Sequence, residues 1–514
     1  MLTKRSMPIS NNRVNKIKSR IKKNMNVIVK HIQTINRKID MKNIGMMALF
    51  ITLSISLYGC SPKKFTDATA ITNVTVIDSI NGIREKHTVF FEKDQITAIE
   101  MTGNEPLNVS QTIDGTDKYL IPGLWDMHVH LTYDDAFTED MPNLFLAYGI
   151  TSVRDTGGLI EKLEPVIKKM RAENAISPRV YFSGPLLDGE FVVYDGGLVP
   201  EIGTQNSSTD IAQKKVADLY NAGVDFIKIY EMVSPEVFTG LSEAASRYEL
   251  PIAAHVPLSM TASMAGPIVD SMEHLRNVEL DCAANSAELH EERLSILNAH
   301  KEGAGLRLRG SLHTLQRLPA IKNYDEKRCN QTLDNLKETI QVPTLRLNAF
   351  SMYPGYERND WQTVLELVPF GAKEKWIVAT EDWFEQKKDQ DWYGSEFAVW
   401  SMELVDRMNR RGVPIGAGTD TPIGYALPGY SLHTELEFLV EAGLTPLEAL
   451  HAATVRPTEF FSLEESMGTL DVGKVADMVL LNANPLENIS NTRQINLVIS
   501  KGMVLKPEIL LSSK

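Results

Sequence analysis

Trp125-Asp126-Met127-His128-Val129-His130 ends a run, Gly123–Leu131, that reads as a β-strand. On a strand, side chains at i and i+2 point the same way, so His128 and His130 can reach one cation. A lone HxH pair is a weak signal, but this one opens a series. Further strand candidates follow at Gly149–Thr156, Arg179–Gly184, Asp225–Tyr230, Pro251–Val256, Val269–Leu275, Val342–Leu347 and Pro414–Thr419. Charged helical stretches, such as Glu161–Glu173 and Ser207–Ala222, lie between them. Alternating strands and helices favour a parallel sheet with crossover helices, and eight repeats favour a closed α/β architecture, a (β/α)8 TIM-like barrel. Barrel enzymes place catalytic groups at the C-terminal ends of their strands. At those ends the sequence puts Lys228 (fourth), His255 (fifth), His274 (sixth) and Asp420 (after the eighth). Ten histidines lie beyond residue 59, and four of them occupy strand ends, which scattered histidines would rarely do. Histidine is the commonest metal ligand, and an aspartate supplies an oxygen ligand or a proton acceptor. Lys228 is out of place in so apolar a strand, because a buried ammonium is costly unless paired or neutralised.

Outward from the barrel, both ends of the chain change rhythm. Short alternating strands recur at Ile71–Ile77 and His87–Phe91, and again at Ala476–Leu481 and Leu497–Gly502. Neither end carries enough apolar surface for its own core, so residues 66–120 and 463–508 are expected to form one discontinuous β-sandwich domain. The barrel, residues 121–462, is then inserted between them. A length of 514 residues suits that plan, since a barrel takes roughly 250 residues or more. Long gaps flank the seventh strand, at 276–341 and 348–413. Within the second, Asn348–Tyr393, with Tyr353, Tyr356, Trp361 and Trp392, reads either as a lid over the barrel mouth or as extra packing helices.

The first sixty residues differ from the rest. Residues 1–40 hold eleven Lys or Arg against the single acid Asp40, a basic leader or a mis-assigned start. Residues 41–60 then give Met41-Lys42-Asn43, an apolar run Ile44–Tyr58, and Leu57-Tyr58-Gly59-Cys60-Ser61. A basic region, a short apolar region and small residues at the cut describe an export signal; a spanning helix needs about 20 apolar residues. The Leu-x-Gly-Cys end resembles a bacterial lipobox, in which Cys60 carries the lipid, against the alternative of a plain membrane anchor. Beyond residue 59 the chain keeps 41 Lys or Arg and 65 Asp or Glu, a net charge of −24. Such an excess repels phosphate backbones, which argues against nucleic acid, and leaves membrane attachment to acyl chains alone. Cys282 and Cys329 are the other cysteines; they could pair in an oxidising compartment, but nothing in the sequence shows that they do.

Taken together, the HxH pair, Lys228, His255, His274 and Gly418-Thr419-Asp420 resemble the amidohydrolase superfamily, in its imidazolonepropionase-related branch with prolidase-like metal-dependent dipeptidases. The resemblance runs from about Thr66 to Lys506. It includes Gly149-Ile150-Thr151-Ser152-Val153-Arg154-Asp155, Glu435 to Pro457, the run Gly468–Asp477, and Asn484-Pro485-Leu486. It implies two divalent metal ions, zinc foremost, with His128, His130 and Asp420 on one and His255 and His274 on the other. Lys228, carboxylated by CO2, would bridge them, which resolves its buried charge; otherwise it is a structural lysine and the enzyme a mononuclear cyclic-amide hydrolase or deaminase. The implied reaction is hydrolysis of an amide bond in a dipeptide or N-acyl amino acid by metal-activated hydroxide, with Asp420 as general base and then acid. Tyr230 either donates to the oxyanion or packs beneath the site. Arg154 either binds a substrate carboxylate or makes a structural ion pair. The partner implied is a small amide or peptide substrate, with homo-oligomerisation left open; a surface lipoprotein without activity is the remote alternative.

Overall fold

The alternating runs at the N-terminal end become β1 (Phe65–Asp78), β2 (Gly82–Glu92), β3 (Gln95–Met101), β4 (Val109–Asp114) and β5 (Tyr119–Pro122). The computed structural model describes residues 65–512, apart from 301, 304, 353–356 and 388–393. The leader, the Cys60 lipobox, Tyr353, Tyr356 and Trp392 lie outside the described residues.

The barrel strands follow as β6 (Leu124–Val129), β7 (Ile150–Asp155), β8 (Arg179–Phe182), β9 (Leu186–Leu187), β10 (Gly203–Thr204), β11 (Ile227–Ile229), β12 (Ile252–Ala254), β13 (Ser271–Glu273) and β14 (Ile340–Val342). β6, β7 and β8 pair in parallel, and so do β9, β11, β12, β13 and β14 in that order. β8 and β9 are two halves of the third barrel strand, bent at Gly184, whose φ of +75° suits a residue without a Cβ. Asp225 N donates to Phe182 O at 2.9 Å, and Leu187 stands opposite Ile229, so the bent strand joins both groups.

The eighth segment closes the ring without forming a regular strand, a departure from the expected Pro414–Thr419. Gln341 N donates to Pro414 O and Gly416 N to Gln341 O, both at 2.8 Å. On the other side Met127 N donates to Ala417 O at 2.9 Å and Asp420 N to His128 O at 2.7 Å. Gly418 permits this approach, because a Cβ there would stand 2.9 Å from that of His128. The seventh strand, expected at 342–347, lies instead at Ile340–Val342. Pro343 cannot donate to a ladder, and Thr344 turns the chain with φ 51°.

Helices cover the outside. Ser208 caps Thr209–Asn221 by accepting from Ile211 N, and Ser234 with Pro235 opens Pro235–Arg247 in the same way. The 276–341 stretch holds three longer helices, Ser286–Ala299, Gly305–Lys322 and Glu326–Asn335. Cys282 and Cys329 form a disulfide there. In the second long stretch, Trp361–Leu367 and Phe370–Lys387 bury Val364, Leu365 and Trp376 in the main barrel core.

The chain returns to the first sheet with β15 (Met478–Leu481), β16 (Ile495–Ser500) and β17 (Met503–Leu505). The resulting sheet has the order β17-β16-β15-β5-β1-β2-β3, with β4 paired to β1. Ile71, Val76 and Phe91 from one end share a buried cluster with Met478, Leu480 and Ile499 from the other. Among the described residues no helix is long and apolar enough to cross a membrane.

Candidate metal centre

The polar layer of the site stands on an apolar floor. Residues two positions apart on a strand share a face, so Phe226 lies below Lys228 and Ala253 below His255. Both floor residues join Met127, Ile340, Val342 and Phe460 in one buried cluster. Above it, His128, His130, Lys228, His255, His274 and Asp420 line a single cavity of about 200 Å³. All six are 6% exposed or less.

Asp420 is the hub. Its Oδ1 lies 3.3 Å from His128 Nε2 and 3.1 Å from His130 Nε2, and its Oδ2 lies 3.9 Å from His274 Nε2. Ligand atoms of His128, His274 and Asp420 fall within 4.8 Å of one another, a spacing that one metal ion can span. Burial opposes charge on Asp420, but His274 and His128 hold its carboxyl well below the usual carboxylate range. Asp420 and His274 both adopt left-handed backbone, with φ of 60° and 58°. That conformation costs roughly 1–3 kcal/mol for such residues and clusters at functional sites.

The outer partners decide which way each imidazole faces. His128 Nδ1 lies 2.7 Å from Glu273, His255 Nδ1 2.8 Å from Glu231, and His130 Nδ1 2.9 Å from the carbonyl of Gly157. With Nδ1 donating outward, each ring keeps the Nε2 lone pair for a metal, the arrangement usual for ligating histidines. Burial also drives His255 down to about 3 and His274 well below its ordinary value, so both are neutral. Lys228 Nζ has no hydrogen-bond partner among the described residues and stands 3.7 Å from Glu273 Oε1. Burial pulls its pKa down to about 8, against the opposing pull of Glu273. Lone pairs converging on one carboxylate, beside an unpartnered buried amine, fit a divalent metal centre.

The family model described as "Amidohydrolase family" matches residues 119–505. The chain belongs to the amidohydrolase family. As a member it is a hydrolase of carbon–nitrogen bonds. Solved structures with the same fold include a Xaa-Pro dipeptidase with methionine bound in its active site: TM-score 0.60, 18% identity, covering 86% of this chain and all of that one. A bottromycin amidohydrolase gives 0.65 and 21%, covering 87% and 90%. The ochratoxinase of Aspergillus niger gives 0.57 and 19%, covering 86% and 96%. In sequence, ochratoxinase is 43% identical over 82 residues, and that match spans only 16% of either chain.

In this amidohydrolase Arg154 is not on the cavity wall. It is fully buried, donating to Met127 O at 2.6 Å, Ser271 Oγ at 3.0 Å and Glu273 at 2.8 Å. It is the structural ion pair, and the substrate-binding alternative is set aside. Tyr230 does line the cavity, with its ring 4.4 Å from that of His255, and burial keeps its phenol protonated. The amidohydrolase also depends on residues that sequence reasoning missed. Glu273 serves His128, Arg154 and Ser271 together, and Glu231 serves His255 and, at 2.7 Å, His313. Asp126 accepts from His128 N and from Thr419 N and Oγ1, tying the first strand to the eighth. An acid directly before a strand-end His, as in Glu273-His274, was the available signal. Asn348–Tyr393 contributes no described residue to the cavity, and its described helices pack Val364, Leu365 and Trp376 into the barrel core. The wall comes instead from Tyr194, Ile202, Arg276 and Arg309.

Proposed function

We propose that this amidohydrolase hydrolyses the amide bond of a small dipeptide or N-acyl amino acid at a two-metal centre. His128, His130 and Asp420 would hold one divalent ion, zinc foremost, and His255 and His274 the other, with Lys228 bridging as a carbamate. The observation that carries this reading is the outward hydrogen bonding of three Nδ1 atoms, which leaves the Nε2 lone pairs of His128, His130 and His255 free, the first two beside Asp420. Bound there, divalent ions would bring the pKa of water toward neutrality and polarise the scissile carbonyl. Asp420, held ionised, accepts the proton of the attacking water and returns it to the leaving nitrogen. Tyr230, held protonated, donates its O–H to the developing oxyanion. A lowered pKa leaves part of Lys228 as the free amine, whose nitrogen bonds to CO2 and releases one proton. The peptide-like substrate is favoured by the dipeptidase among the structural relatives.

The test is metal-replete protein against a library of dipeptides and N-acyl amino acids, read by release of the free amine. Hydrolysis at one amide type supports the reading. Turnover of cyclic amides or amino-heterocycles alone would favour the mononuclear alternative, to which the closeness of Lys228 to Glu273 lends some support. We also propose that the enzyme is exported and anchored through Cys60, facing the periplasm or the cell exterior. The Cys282–Cys329 disulfide suits an oxidising compartment of that kind.

A further inference from the structure

Two guanidiniums stand against one carboxylate beside the metal centre. Arg276 Nε lies 3.6 Å and Arg309 Nε 3.0 Å from the same Glu231 Oε1. That oxygen already accepts from His255 Nδ1, and the other oxygen of Glu231 faces His313 Nε2. Among the described residues neither arginine Nε has a hydrogen bond of good geometry. Both side chains keep some exposure, 12% and 15%, and both line the cavity that holds the metal-site residues. One carboxylate against two permanent cations leaves a surplus positive charge on the wall, with donors in the fork geometry that matches a carboxylate.

Their placement is built rather than incidental. Arg276 follows the left-handed residues His274 and Leu275, which turn the chain back at the mouth after β13. Arg309 comes from the helix Gly305–Lys322, where Arg309, His313 and Arg317 lie four residues apart and so share one face. His313 fixes that face on Glu231, and Arg317 holds His313 Nδ1 at 3.2 Å and Glu279 at 3.3 Å. Gly305 lets the start of the helix sit against Phe191 and Val192, whose carbonyl oxygens would lie 2.8 and 2.7 Å from an added Cβ. Arg309 also lies over the ring of Tyr230, 5.9 Å from its centroid, and so one ring away from His255.

We propose that Arg276 and Arg309 form the subsite for a free carboxylate on the substrate, one residue from the scissile amide. The enzyme then acts on substrates ending in a free acid and rejects the same compounds as amides or esters. This deepens the amide-hydrolase reading and rests on it for the reaction, though not for the binding.

Binding and turnover are measured in parallel on metal-replete protein. The ligand pair is N-acetyl-L-phenylalanine and N-acetyl-L-phenylalaninamide, titrated by calorimetry. Any N-acyl amino acid found to be cleaved is assayed beside its carboxamide. The free acid is expected to bind at least tenfold more tightly than the amide. Arg276→Gln and Arg309→Gln should each shrink that ratio toward one, and Arg309→Lys should restore part of it. If Arg309 only positioned Glu231, the variants would weaken acid and amide alike and leave the ratio unchanged, which would overturn the proposal. Equal binding of the two forms by the wild type, or no binding of either, overturns it regardless of how the variants fold. Acid-selective binding without any amide hydrolysis would sustain the subsite while removing the proposed reaction.

Discussion

Asp420 is proposed both to hold metal and to carry a proton, and a substitution can separate the two. Asparagine keeps an oxygen ligand of the same shape but cannot carry the proton. Asp420→Asn should therefore retain most of the bound metal while kcat falls about 10²–10⁴-fold, the usual contribution of a positioned acid–base group. Metal content and single-turnover rates measured on the same sample decide it, and unimpaired turnover would remove Asp420 from proton transfer. Arg154 should behave in the opposite way. Arg154→Met leaves Glu273 buried without its guanidinium partner, which costs about 3–5 kcal/mol of stability. Urea unfolding should show that loss; a rise in KM alone, with stability unchanged, would return Arg154 to the substrate. At this scale the residues that line the cavity were legible because His and Lys are rare at the ends of apolar strands. Glu231 and Glu273 were not, since a carboxylate next to a strand end looks in sequence like the start of a solvated loop. Burial, which the sequence does not display, makes them partners of His255 and His128.

At the scale of elements, the helices set between Arg276 and Gln341 bring Arg309 to the wall of the cavity, and Cys282–Cys329 staples this stretch across 47 residues. Closing a loop of that length stabilises by about 2–4 kcal/mol. The double variant Cys282→Ala, Cys329→Ala should lose stability in that range by urea unfolding, and a variant as stable as the parent would show that the bond staples nothing. Six of the eight barrel strands could be read from apolar runs bounded by turns. The seventh was misplaced because Val342, Leu345 and Leu347 read as strand residues, whereas Pro343 in fact ends the ladder. The eighth was read as a strand, yet it meets its neighbours through a few backbone bonds only, with Gly416 and Gly418 allowing close approach. A lid and packing helices read alike in sequence because aromatic residues that suit a mouth suit a core equally well; of the described ones, Trp376 stacks on Trp361 at 6.0 Å.

Across the whole molecule, both chain ends meet in one sheet, β15 running antiparallel to β5 directly before the strand that bears His128 and His130. The site is thus joined to the fold at its first strand, and the proposed export segment precedes that sheet in sequence. Cys60→Ser should release the protein from membranes or leave it unprocessed, followed by palmitate labelling and fractionation; labelling that persists in the variant would refute the anchor. The proposed two-metal centre is tested by the metal stoichiometry of purified protein reconstituted with zinc, with and without bicarbonate, by plasma mass spectrometry. Two ions per chain are expected with bicarbonate present, fewer without it, and loss of metal together with activity in Lys228→Ala. One ion per chain, indifferent to bicarbonate and retained in Lys228→Ala, would contradict it.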